Sequence, residues 1–411
     1  MSWGIGDRVG VAVSAGTIAT FNSRRPGPVP SLILDFAGTG TLDSRITFTR
    51  STTGTYYNSS GVLSTAAINA ARFDYNPSTL APLGLLIEQS STNSLTYSST
   101  FTNIAWYQAG LTLVGASTTA PDNTLTGTRA YAASNNQTFQ LGITFNGSAW
   151  TGSIFAKYNS INTFKLNIYD NVAGSKGTVF NIQTGAIVSN DAGVTSTITD
   201  SGNGWYRCTI TRTPANLSAG GLVIDNTKDI FIWGAQLEAL AFATSYIPTT
   251  TAQVTRAADV ASITGANFSS WYNQAQGSLF LMNDCYNFSN GPFPISISDG
   301  TSLNLISISN TAGKPEFYIV RSSVQQVDLL TSNAMTINVM AKNAVSYNTN
   351  NFANVLNGGT VATNFSGNIP TVNRMTIGST PAGTQFNNGH ISKISYYPTA
   401  LTSAQLQALT T

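Results

Sequence analysis

From Trp205 to Thr213 the side chains alternate, with Tyr206, Cys208 and Ile210 on one face and Arg207, Thr209 and Thr211 on the other. A period of two is the signature of a strand with one face towards a core and one towards water. Pro214 ends it, because proline has no N–H to give to a sheet ladder. The next run, Asp229 to Leu237, carries Ile230, Phe231, Ile232 and Trp233, apolar on both faces as an interior strand requires. Upstream, Phe164, Leu166 and Ile168 point one way and Lys165, Asn167 and Tyr169 the other. The same style, short apolar runs punctuated by Gly, Asn and Ser, fills the stretch from Phe101 to Thr250. It resumes in Gly277 to Met282, Ile295 to Ser298, Leu303 to Ser309, Glu316 to Arg321, Met335 to Met340 and Met375 to Gly378. There is no heptad, short exact repeat or collagen-like period. The pattern predicts an all-β chain of tandem antiparallel β-sandwiches.

Such sandwiches have large solvated faces, and the composition shows how they stay in water. Charged residues are only 9% of the chain, against about 25% in ordinary soluble domains. Solubility rests on Ser, Thr, Asn and Gly, which suit pleated faces and tight turns. Arg8, Arg24 and Arg25 against Asp7 supply the whole net charge of +2, so the remainder is balanced. Without a basic field, no counterion-release drive towards nucleic acid or an anionic membrane is expected. No stretch approaches the ~20 apolar residues of a membrane span, and Asp7 cancels Arg8 where a secretory signal wants a cationic start. Cys208 and Cys285 read as separate buried thiols.

At 411 residues the chain has room for more than one core. Residues 1–30 read as an extended N-terminal arm in which Trp3, Ile5 and the apolar Val9 to Ile18 lie on a partner, followed by the stiff Arg24-Arg25-Pro26-Gly27-Pro28-Val29-Pro30. Residues 31–100, with extended segments at Ser31 to Phe36, Arg45 to Arg50 and Leu83 to Glu88, are expected to be a β connector packed on the next domain. Residues 101–254 and 255–411 are the two sandwiches. Near the end, Thr402-Ser403-Ala404-Gln405 is a capping-box sequence for a short helix, expected to plug one end of the last sandwich.

The chemistry of catalysis is sparse. His390 is the single histidine, and no G-x-S-x-G surrounds a serine. Asp284 with Asp299, or Asp225 with Asp229, are the carboxyl pairs a glycosidase would need, but Asp284, Asp299 and Asp225 each sit beside Asn, Gly or Ser, as turn-capping aspartates do. No enzymatic activity is expected. For a metal, Asp225-Asn226-Thr227-Lys228-Asp229 offers oxygen ligands, yet Lys228 and the missing bidentate Glu make a plain turn the better reading. No cofactor is expected; a structural calcium is the weaker alternative. A sugar site needs exposed flat aromatics ringed by amides. Trp106, Trp205 and Trp233 lie in strand-like motifs and read as core, whereas Trp150, Trp271 and Tyr272 lie beside turns, and Tyr286, Tyr347 and Phe352 are flanked by Asn287, Asn348 and Asn350. These six are the candidate glycan-binding residues.

GWYRCTITRTP from Gly204, WGAQLEA from Trp233, TSYIPTT from Thr244 and Val254-Thr255-Arg256 together resemble the carbohydrate-binding-module-like jelly roll of bacteriophage and prophage tail and fibre proteins. Leu34-Asp35-Phe36, Ile46 to Arg50, Ala70 to Asp74 and Gly84 to Glu88 are similar to the segment that precedes this module. Gly389-His390-Ile391, Tyr396-Tyr397-Pro398 and Leu401 to Leu409 resemble the closing strand and helix of a concanavalin-like, laminin-G-like lectin domain. The resemblance spans roughly residues 31–411. It implies a virion protein, assembled in the host cytoplasm as a homotrimer and anchored to tail or capsid proteins through Trp3, Ile5, Arg24 and Arg25. Its sandwiches would bind a host-surface glycan. A head-decorating or tail-attached protein that binds no sugar, and a glycan-degrading enzyme, are the alternatives.

Overall fold

The computed structural model describes residues 28–132, 137–225 and 229–411. The anchoring residues Trp3, Ile5, Arg24 and Arg25 lie outside them, as does the middle of the segment weighed for calcium. Almost every element is a strand, and every sheet pairing is antiparallel, so the all-β sandwich expectation holds.

One sandwich is contiguous. Its two six-stranded sheets lie face to face, and the chain passes repeatedly between them. One sheet holds Thr195–Asp200, Trp205–Arg212, Trp150–Tyr158, Asp229–Glu238, Gly127–Tyr131 and Thr112–Thr118 in that order; the other centres on Thr163–Asp170 and Asn216–Asp225. Ile154, Cys208, Ile210 and Ile232 from the first meet Leu166, Ile168, Leu222 and Ile224 from the second. These are the inward positions of the period-two pattern, and each fully buried Ile or Leu contributes about 1.5–3 kcal/mol relative to exposure.

The second sandwich is discontinuous, which corrects the reading of residues 31–100. Leu32–Asp35 and Pro82–Ile87 both pair with the last strand, Gly389–Tyr397, Leu32 lying opposite Tyr396 and Ile87 opposite Gly389. Thr47–Thr49 joins the facing sheet through Val260–Thr264. The supposed connector is therefore part of the terminal sandwich, and the contiguous sandwich is inserted into it. Period two shows that these segments are strands, but it does not say which sheet receives them. The insertion stands on a two-stranded neck, Ser91–Asn93 against Val254–Arg256. Asn93 is fully buried there; its amide donates to the carbonyls of Ala235 and Ile247 and accepts from the N–H of Leu95 and Leu237.

The closing helix, Ser403–Thr410, has the expected capping box between Thr402 and Gln405. It does not plug an end of the sandwich. Leu406 packs with Phe280, Ala344, Val355 and Tyr397, the outward side of a sheet whose inward side carries Leu279 and Leu281. Cys208 and Cys285 are both free and buried.

Gly84 shows how closely the early strand docks. Its φ is +109°, and a Cβ there would lie 2.4 Å from the Ile391 carbonyl oxygen. Gly84→Ala is expected to cost about 2 kcal/mol, whereas Gly142→Ala, at φ +103° in open space, should cost about 1 kcal/mol from backbone strain alone. Denaturant unfolding of the two variants compares them directly; equal losses would mean that the Gly84 contact is slack.

Candidate functional site: a cleft between the sandwiches

Where the inserted sandwich leans over the terminal one, they enclose a cleft of about 580 Å³. Its roof is the outer face of the sheet that holds Trp205–Arg212. Register puts Thr195 opposite Thr211, Thr197 opposite Thr209 and Thr199 opposite Arg207. On the other side the same rungs continue to Thr151, Ser153 and Phe155. Alternation sends Cys208 and Ile210 into the core, so these hydroxyls, Arg207 and Phe155 are left on the cleft side. The floor and rear wall come from Tyr56, Tyr57, Asp74 and Tyr75 of the early segment and from Tyr286, Asn287 and Asn338 of the terminal sandwich.

At the bottom lies His390 between two carboxylates. Nδ1 is 3.0 Å from Asp284 Oδ2 and Nε2 is 3.0 Å from Asp74 Oδ2. Burial alone would lower the imidazolium pKa, but the charge and hydrogen bond of Asp284, together with Asp74, outweigh it and raise it to about 10. The ring is therefore a cation that donates from both nitrogens at neutral pH. Asp284 Oδ1 also accepts from the His390 N–H at 2.6 Å, and Asp74 Oδ1 from the Tyr57 N–H at 2.5 Å. Because the two nitrogens address separate carboxylates, the groups do not converge as metal ligands would. This is the satisfied structural histidine that its place at the start of a closing strand suggests.

Behind the cleft is a second buried charge cluster. Asp259 accepts from Arg50 Nη1 at 3.0 Å, from Arg72 Nη2 and from the Glu88 N–H at 2.9 Å. Glu88 lies 2.8 Å from Arg72 and 3.4 Å from Arg256, and it accepts from the Ser245 N–H and hydroxyl, each at 2.7 Å. Burial pushes the Glu88 carboxyl up, but Arg256, Arg72 and Ser245 bring it down to about 2. The cluster ties the early segment, the exit of the insertion and the start of the last domain into one unit.

The six proposed sugar contacts fare unevenly. Trp150 is buried against Phe145, with its indole N–H on Asn146 Oδ1 at 2.9 Å. Trp271 packs between Phe268 and Tyr396 in the terminal core, and half-buried Tyr272 stacks on Phe268. Tyr347 and Phe352 are fully buried, Tyr347 bonding the Tyr396 hydroxyl at 2.9 Å. These rings offer packing surface rather than a platform for a pyranose: a neighbouring turn does not expose a side chain when a helix or sheet covers it. Tyr286 alone of the six lines the cleft. Trp106, Trp205 and Trp233 are core, as expected. Asp299 caps its own turn by accepting from Thr301 and Asn304, and Asp229 pairs with Arg129.

Apart from Tyr286, Asp284 and His390, the cleft's residues carry no site signal in the sequence. The polar face of Trp205–Arg212 was visible, but nothing local said that it meets a second sandwich.

No protein-family model and no curated protein matches this chain. Among solved structures, the carbohydrate-binding module (CBM40) of the Ruminococcus gnavus IT-sialidase is similar at 18% identity and a TM-score of 0.28, over 33% of this chain and 83% of that one. Domain 4 of AbnA, a GH43 extracellular arabinanase from Geobacillus stearothermophilus, in complex with arabinotriose, is similar at 15% identity and a TM-score of 0.31, over 41% and 82%. Domains LG4-5 of the mouse laminin alpha1 chain reach 8% identity and a TM-score of 0.23, over 77% and 92%. The sandwich assignment itself stands on the strand pairing described above.

Proposed function

We propose that this protein binds a glycan in the cleft between its sandwiches, as the receptor-facing part of a bacteriophage tail or surface fibre. The observation that carries the glycan reading is the roof. Successive rungs of Thr hydroxyls on a rigid sheet, facing Tyr56, Tyr57 and Tyr286, give a polyhydroxylated ligand partners along its length and aromatic surface for its apolar faces. The fibre reading rests on the sequence resemblance, and so do the homotrimer and the anchoring role of the first thirty residues. Shallow single-site contacts suit such an assembly, because three linked sites multiply a weak affinity.

Binding without turnover is part of this proposal. Asp74 and Asp284 are both engaged with His390 at the floor of the cleft rather than placed as a free pair across a ligand.

The test is a glycan array probed with the full chain, followed by titration of each hit against Thr197→Val/Thr209→Val. Binding that falls at least tenfold in the double variant, with no reducing ends released, is the expected result. A silent array would sink adhesion and favour a protein whose sandwiches pack on virion neighbours.

A further inference from the structure

We infer that the sugar bound in the cleft carries a carboxylate and that Arg207 is the residue that reads it. This rests on the glycan reading above and narrows it to a chemical class.

Arg207 ends the polar ladder of the roof. Its guanidinium lies 5.4 Å from the Phe155 ring centroid, and Nη2 donates to Ser153 Oγ at 3.0 Å, so the fork is held in one plane. Nε is buried and has no hydrogen-bond partner among the described residues. Arg72 and Arg256 also leave Nε unpaired, but both are bridged to Glu88 and Asp259. Arg207 has no such bridge within the described residues, although it lines the cavity. A shielded guanidinium without an anion is costly, and leaving its donor unmet adds to that cost.

The missing partner is an acceptor, and the geometry favours an ionised one. A carboxylate fills adjacent guanidinium N–H groups with its two oxygens, whereas a hydroxyl or ring oxygen meets only one. The buried Tyr57 hydroxyl also lines the cleft; burial, partly offset by a side-chain hydrogen bond with Ser201, raises it to about 12, so it keeps its proton at neutral pH.

The cleft's own acids already have partners. Asp74 and Asp284 share one counter-charge, that of His390, and exposed Asp200 accepts from Ser78 Oγ and the Gly202 N–H. Arg207 is thus the cleft cation left without a carboxylate partner among the described residues.

The experiment uses the full chain on an array in which each acidic oligosaccharide is printed beside its carboxyl-reduced form, with calorimetric titration of the hits. Wild type should prefer the acid at least tenfold. Arg207→Met keeps the stem over Phe155 and should abolish that preference while leaving the reduced form bound and the thermal midpoint no lower than that of wild type. Arg207→Lys, which keeps charge without the fork, should retain part of it. If wild type binds sugars but treats each pair alike, the carboxylate inference falls and the glycan reading stands. An acid preference that survives in Arg207→Met would overturn the assignment to Arg207. A silent array would remove both readings together.

Discussion

Raising the pH from 6.5 towards 10 is expected to destabilise this protein by several kcal/mol, and His390→Gln is expected to erase that dependence. The imidazole has an ordinary value of 6.5 and is held at about 10 in the fold. A group whose folded value is raised contributes stability that is fully present below its unfolded value. That contribution is lost as pH rises through the folded value. The shift corresponds to roughly 4–5 kcal/mol. Once the proton leaves, Asp74 and Asp284 face a neutral ring at the largely buried floor of the cleft. Removing the cation by mutation produces the same unpaired carboxylates at every pH, at a cost of about 3–5 kcal/mol. Guanidinium unfolding at pH 6, 8 and 10 compares the two proteins, and the difference between them excludes the tyrosines and lysines that also titrate. Curves for wild type and variant that run parallel across this range would show that His390 holds no excess proton.

Asp259→Asn is the second large effect. This one carboxylate accepts from Arg50, Arg72 and the Glu88 N–H, and it lies 3.9 Å from Arg256. Without its charge, three buried guanidinium groups share Glu88 alone. The expected loss is about 3–5 kcal/mol, and it should fall on the terminal sandwich, because the inserted one has a core of its own. Calorimetry should therefore show a single transition splitting in two, with the inserted sandwich melting last. A uniform downward shift would mean that the two share one cooperative unit. Acid offers an independent check. Glu88 is depressed from 4.5 to about 2, so its contribution is present above 4.5 and disappears as pH falls through 2.

Much of the fold was legible because alternation is local: Cys208 and Ile210 had to face inward, and Thr209 and Thr211 outward. Partner choice was not. Nothing near Leu32 names Tyr396, and nothing near Arg50 names Asp259. The stretches that carried the family resemblance prove to be junction parts. Arg50, Glu88 and Arg256 build the buried cluster; Gln236 accepts from the Ile247 N–H, and Glu238 from Thr244 and Ser91. The aromatic candidates misled. Asn348, Asn350 and Asn351 between Tyr347 and Phe352 mark a hairpin turn, but the strands behind that turn lie over a core.

The pairing of the first described strand with the last governs how the chain is made. As it leaves the ribosome, the inserted sandwich has all its strands within one uninterrupted stretch and folds as soon as that stretch is clear. Leu32–Asp35 has no such neighbour and Pro82–Ile87 has only Phe73–Tyr75 on one side, so both keep an open edge until Gly389–Tyr397 has been translated. A nascent chain stalled before its final strand therefore carries one finished sandwich and one sticky, unclosed sheet. Translation of Gly389–Tyr397 decides whether that sheet is closed or lost to aggregation.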